Sequence, residues 1–133
     1  MRLVVSLSLL LGAVLVGCQS IDGGDNLEKG VPYQLSAKET AAVEKGLRQQ
    51  LPYEGVLIFG PMLASKNSKG NVSVCGTISS LGGLSGVMDK RPYVGMMVNV
   101  PPLFGFVPIV IANESSSSQS AVFLTCHREG IPI

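Results

Sequence analysis

The sequence predicts an α+β fold, with one N-terminal helix packed on a mainly antiparallel sheet of four or five strands. Two observations carry that expectation. A single capped, amphipathic stretch occupies residues 37–50, and beyond it the apolar residues gather into short runs separated by turn residues.

The helix is the most specific element. Ser36-Ala37-Lys38-Glu39 is a capping box, in which the serine oxygen accepts from the Glu39 amide and the glutamate reaches back. Val43, Leu47 and Leu51 then recur at i, i+4 and i+8, which puts an apolar stripe on one side. Glu44 and Arg48 have the spacing of an i, i+4 pair on the wet side, and Pro52 stops the run.

Residues 55–64, 71–79, 93–100, 105–112 and 120–126 are apolar or β-branched and read as strands. Residues 66–71 form a hairpin turn between the first two, and residues 81–89 a glycine-rich loop. Pro101-Pro102 separates the third run from the fourth, and Asn113-Glu114 with four serines separates the fourth from the fifth. Val72, Val74 and Ile78 alternate with Ser73, Cys75 and Thr77, as on a strand with one buried face. Pro61 and Pro108 lie within apolar runs and should each mark an edge or a bulge.

The first residues have a different logic. Met1-Arg2 gives a small positive start, and residues 3–16 are mostly apolar but diluted by Ser6, Ser8 and Gly12. That run falls short of the ~20 residues needed to span hydrocarbon. It has the parts of an export signal. Its last residues, Leu15-Val16-Gly17-Cys18, resemble the lipobox of bacterial lipoprotein precursors. The resemblance implies a diacylglyceryl thioether on Cys18, cleavage just before it, and further acylation of the freed amine. Only a thiol is nucleophilic enough for that transfer. By similarity to the sorting rule of Gram-negative lipoproteins, Gln19 favours the outer membrane over the inner, with the protein facing the periplasm. The expected organisation is a signal peptide at 1–17, an acylated N-terminus and flexible tether at 18–35, and one small domain at 36–133.

A looser resemblance covers residues 36–128. The capped helix, Phe59-Gly60-Pro61, Val74-Cys75-Gly76-Thr77-Ile78 and the loop Gly82-Gly83-Leu84-Ser85-Gly86 are similar to small exported proteobacterial domains. Leu81 and Leu84 stand where that group has aromatics. The resemblance implies a domain boundary and no activity.

Charge narrows the function. Ten basic residues face nine acidic ones, and loss of Arg2 with the signal leaves a formally neutral chain with no basic block. That argues against nucleic acid and against polybasic attachment to anionic lipid. Without Trp and with few aromatics, there is little support for a surface that stacks sugars or bases.

With Cys18 acylated, Cys75 and Cys126 remain. In an exported chain an even pair is most simply a disulfide, with two buried free thiols or a metal or redox role as alternatives. His127, the sole histidine, follows Cys126. On a strand the two would point to opposite faces and form no dyad or metal pair. The loop at 82–86 lacks the residues of a phosphate loop or nucleophile elbow. Met62, Met88, Met96 and Met97 lack the spacing of a soft-metal site and read as core filling. Residues 101–106, Pro-Pro-Leu-Phe-Gly-Phe, are either an exposed docking patch or, as favoured, a buried turn under the sheet.

The expectation is therefore a non-enzymatic, lipid-anchored envelope domain without cofactor or metal. Its partners would be membrane lipid through Cys18 and an envelope protein. An inhibitor of a lysozyme or protease, acting through the serine-rich and glycine-rich loops, is the alternative. A small hydrolase around Ser85, Asp89 or His127 is a third.

Overall fold

The computed structural model describes residues 29–51, 55–81, 90–113 and 115–133. The Leu15-Val16-Gly17-Cys18 tetrad, Pro52, the loop at 82–86 with Ser85, Met88 and Asp89 lie outside them. The order is β1 (Val31–Tyr33), α1 (Ala37–Gln50), β2 (Val56–Phe59), β3 (Leu63–Lys66), β4 (Val72–Leu81), β5 (Arg91–Val100), β6 (Leu103–Ile111) and α2 (Ser116–Arg128). All six strands join one antiparallel sheet in the order β1-β3-β4-β5-β6. β2 pairs with the far half of β4. The fold is α+β, with one helix and one strand more than the sequence led us to expect. No helix among the described residues is long and apolar enough to cross a membrane.

α1 forms as its sequence dictates. The amide of Glu39 donates to Ser36 Oγ, and the amide of Ser36 donates to Glu39 Oε1, each at 3.1 Å. Val43 and Leu47 are fully buried, and Leu51 packs at the edge of the same cluster. Burial of a side chain the size of Leu47 contributes about 2–3 kcal/mol. Arg48 lays its guanidinium over the Phe59 ring, 4.9 Å from the centroid.

β4 departs from the expectation of one buried face. Val72, Val74 and Ile78 pack under α1 with Tyr93 and Phe106, while Cys75 packs on the opposite side with Val94, Ala112, Val122, Cys126 and Ile131. Ser73 and Ser79 are buried too. The second layer is α2, which covers the face expected to meet solvent.

That helix is the main correction. Residues 120–126 were expected as a strand, and residues 115–118 as a loop. Instead Ser115 caps α2, its Oγ accepting from the Ser118 amide at 3.3 Å. Val122 and Cys126, four apart, turn inward, whereas Phe123 and Leu124 stay exposed. The helix ends in a Schellman motif: the Ile131 amide donates to the Cys126 carbonyl at 2.8 Å and the Gly130 amide to the His127 carbonyl at 3.0 Å. Gly130 sits at φ +82°, a conformation that glycine adopts without strain.

The segment read as tether also gives way in part. Val31, Pro32 and Tyr33 pair with Lys66, Ser65 and Ala64, so the sheet begins before Ser36. The Gly30 amide donates to the Glu129 carbonyl at 3.2 Å, bringing the entering chain beside the end of α2.

The two prolines within expected apolar runs, Pro61 and Pro108, sit where ladder bonds are dispensable. Gly60-Pro61 divides the expected run at 55–64 into β2 and β3. Pro108 lies on an edge strand at a bulge: Val94 pairs with Val110 and Gly95 with Pro108, leaving Ile109 extra. Gly95 permits close packing there, since a Cβ would run into the Phe106 ring. That ring meets Tyr93 edge-on, with centroids 6.2 Å apart.

Candidate functional site

Of the residues singled out by chemistry, Cys18, Ser85, Met88 and Asp89 lie outside the described residues, and the others can be placed. Cys75 on β4 and Cys126 on α2 form a disulfide, with Cα atoms 6.2 Å apart and both residues fully buried. The pairing is the one expected, although Cys126 lies on a helix. His127 is exposed on that helix, turned roughly 100° from the buried Cys126. The dyad is therefore absent, for a helical reason. Among the described residues no three His, Cys, Asp or Glu side chains gather as metal ligands. Met62 and Met97 pack against the core.

The serines at 115–118 serve α2. Ser118 Oγ donates to Asn113 Oδ1 at 2.7 Å, and Asn113 Oδ1 also accepts from the Ser115 amide at 2.8 Å. A run so engaged in capping is a helix start rather than a free recognition loop.

Residues 101–106 are the second correction. They are no buried turn. Pro101-Pro102, with a cis peptide bond, makes the tight turn between β5 and β6 at the open end of the sheet. Val100 and Leu103 are each 65% exposed, and Phe104 is 38% exposed. The hairpin extends several residues past Ser73, the last position of β4 opposite β5 at this end, so the tip has no strand beside it on that side. Phe104 and Phe106 point to the α1 side, while Leu103 and Val107 alternate to the other.

This end also gathers polar and charged side chains around a cleft. Between the β3–β4 turn and the β5–β6 hairpin lies a cleft of about 420 Å³, lined by Tyr33, Glu39, Lys66, Lys69, Asn99, Val100 and Phe104. The Tyr33 hydroxyl donates to Glu39 Oε1 at 2.9 Å. Lys66 Nζ stands 5.3 Å from the Tyr33 ring centroid, and Lys38 Nζ stands 4.4 Å from that of Phe104. Burial alone would push the Glu39 carboxyl up. The Ser36 amide and side chain, the Tyr33 hydroxyl and the Lys66 charge outweigh it and hold the group below its ordinary range. The bond to Glu39 in turn raises the Tyr33 hydroxyl.

The β3–β4 turn is internally braced. Asn67 Oδ1 accepts from the amides of Lys69 and Asn71 at 3.0 and 2.9 Å. A larger cleft of about 640 Å³ between β1, α1 and β3 is lined mainly by apolar side chains such as Leu35, Phe59 and Met62, with Glu44 at its margin. What the hairpin end offers is cationic charge around exposed apolar side chains. Sequence reasoning passed over the lysines because Lys29, Lys38, Lys66 and Lys69 are dispersed along the chain. No protein-family model matches this sequence, and neither a curated protein nor a solved structure matches it.

Proposed function

We propose that this chain is a lipid-anchored protein of the bacterial cell envelope, whose non-catalytic domain binds or supports another envelope component on the periplasmic side. The outer membrane is the favoured site. Two observations carry this reading together: the fully buried Cys75–Cys126 bridge in the structure, and the Leu15-Val16-Gly17-Cys18 tetrad in the sequence. Structural disulfides persist in oxidising compartments, and the tetrad is the substrate pattern of lipoprotein maturation. The three cysteines then divide cleanly, one for lipid and two for the bridge.

Expression of the full precursor in a Gram-negative host tests the proposal. The mature N-terminal peptide should begin at Cys18 and carry the mass of a diacylglyceryl group, and the protein should partition with membranes. Cys18→Ala should abolish both. A soluble protein with an unmodified Cys18 would overturn the reading. Cross-linking in intact cells then addresses the partner: repeated recovery of one envelope protein supports binding, and recovery of bulk porins alone counts against it.

A further inference from the structure

We propose that the hairpin end of the sheet is a contact face for anionic phospholipid, with the tip at residues 100–104 dipping among the headgroups and the lysines around it meeting phosphates. The inference rests on the anchored reading above for bringing the domain to a bilayer.

Three observations converge. First, Val100, Leu103 and Phe104 are exposed on a turn closed by two prolines, and residues 99–105 carry no charge. Amphipathic surfaces of this kind partition into the headgroup and acyl boundary. Second, lysines border the tip. Lys38 lies over Phe104, while Lys66 and Lys69 share a cleft with Val100 and Phe104. Among the described residues the carboxylates at this end, Glu39 and Glu129, are fewer than the lysines, and both accept hydrogen bonds from the protein. Glu39 is held by Ser36 and Tyr33, and Glu129 Oε2 accepts from Ser73 Oγ at 3.2 Å. Third, the chain enters here. Val31 pairs with Lys66, immediately before the β3–β4 turn, so Lys29 arrives at the same end as the tip. Eleven steps of chain separate Cys18 from Lys29, a span of at most about 40 Å. An acylated Cys18 would therefore tether the domain to the bilayer through this end.

The alternative occupant is a second copy docking on this tip. Two such tips would bring Lys38, Lys66 and Lys69 against their own kind, whereas an anionic headgroup layer complements them.

The chain contains no Trp, so one substitution makes a unique optical reporter. Full-length acylated protein carrying Leu103→Trp would be reconstituted into phosphatidylcholine vesicles with and without phosphatidylglycerol. Val56→Trp, 65% exposed on β2 at the opposite end of the sheet, serves as control. Leu103→Trp should shift its emission to the blue and lose access to an aqueous quencher, most strongly with phosphatidylglycerol. Val56→Trp should stay water-exposed, and adding Lys66→Gln and Lys69→Gln should remove the phosphatidylglycerol dependence. Val100→Trp gives an independent reading of the same face.

Leu103→Trp and Val100→Trp remaining water-exposed on vesicle-bound protein would overturn the proposal while leaving the anchor intact. So would an equal shift at Val56→Trp, or a blue shift that grows with protein concentration without vesicles, which would mark a second copy. Failure of the anchor is read separately, as an unmodified Cys18 mass.

Discussion

The hydroxyl of Tyr33 on β1 donates to the carboxylate of Glu39 in the first turn of α1, at 2.9 Å. The same carboxylate accepts from the Ser36 amide, so one side chain ties the edge strand, the cap and the helix together.

This makes stability depend on pH in a definite direction. Glu39 has a depressed folded-state pKa, so its contribution is complete above the ordinary carboxylate range and is lost as pH falls below about 4.5. The stability gap between wild type and Glu39→Gln, measured by urea denaturation, should be widest at neutral pH and close on acidification. Ser36→Ala should cost about 1 kcal/mol by removing the cap. A gap that widens in acid would refute this account.

The disulfide spans 51 positions and joins the central strand to the last helix. By the chain-entropy model its closure stabilises by roughly 4 kcal/mol. A Cys75→Ser, Cys126→Ser double variant should lose about that much, and denaturation of the wild type with and without reductant should show the same difference. Equal stability in both conditions would mean the bridge constrains nothing that packing has not already set.

Tyr93 presents an opposite case. Its ring packs against Phe106, but its hydroxyl is buried without a hydrogen-bond partner among the described residues. Burial first, and Glu44 second, drive its pKa well above the usual value. Leaving such a group unpaired costs about 1–3 kcal/mol. Tyr93→Phe keeps the ring and removes the orphan, so its midpoint of thermal unfolding should equal or exceed that of wild type. A marked fall would reveal a polar role for the hydroxyl.

Gly130 tests the end of α2. Any other residue at φ +82° is strained, and a Cβ there would crowd the Gly30 carbonyl. Gly130→Ala should cost roughly 1–2 kcal/mol and speed amide exchange at Gly30 and Ile131. Unchanged exchange at both would dissociate the cap from the entry strand.

How far the fold could be read in advance varied by element. α1 was legible because capping box and stripe agree, two independent signals at one place. The β3–β4 and β5–β6 turns were legible from glycine, asparagine and proline. α2 was not, because Val122, Phe123 and Leu124 make an apolar run too short to have a period. Its true signals flanked it: Asn113 and the serines in front, then Gly130-Ile131-Pro132 behind, a helix start and a helix stop. Missing α2 also hid the second buried face of β4. The hairpin site was illegible for another reason. Lys29, Lys38, Lys66 and Lys69 come together only because β1 and the β3–β4 and β5–β6 turns meet at one end. The sequence, having no basic stretch, argued against polybasic attachment to anionic lipid.

The bond from Gly30 to Glu129 makes the domain nearly a closed ring. A short linker from Ile133 to Lys29 would complete it, and new ends could be opened at the exposed Lys69-Gly70 in the β3–β4 turn, as circular permutation allows where surface turns are cut. In such a rearranged chain, with its two ends now at the turn, the order of synthesis would place β4, β5, β6, α2, β1 and α1 ahead of β2 and β3. The same sheet would then be assembled with its edge strand β1 covalently continuous with α2.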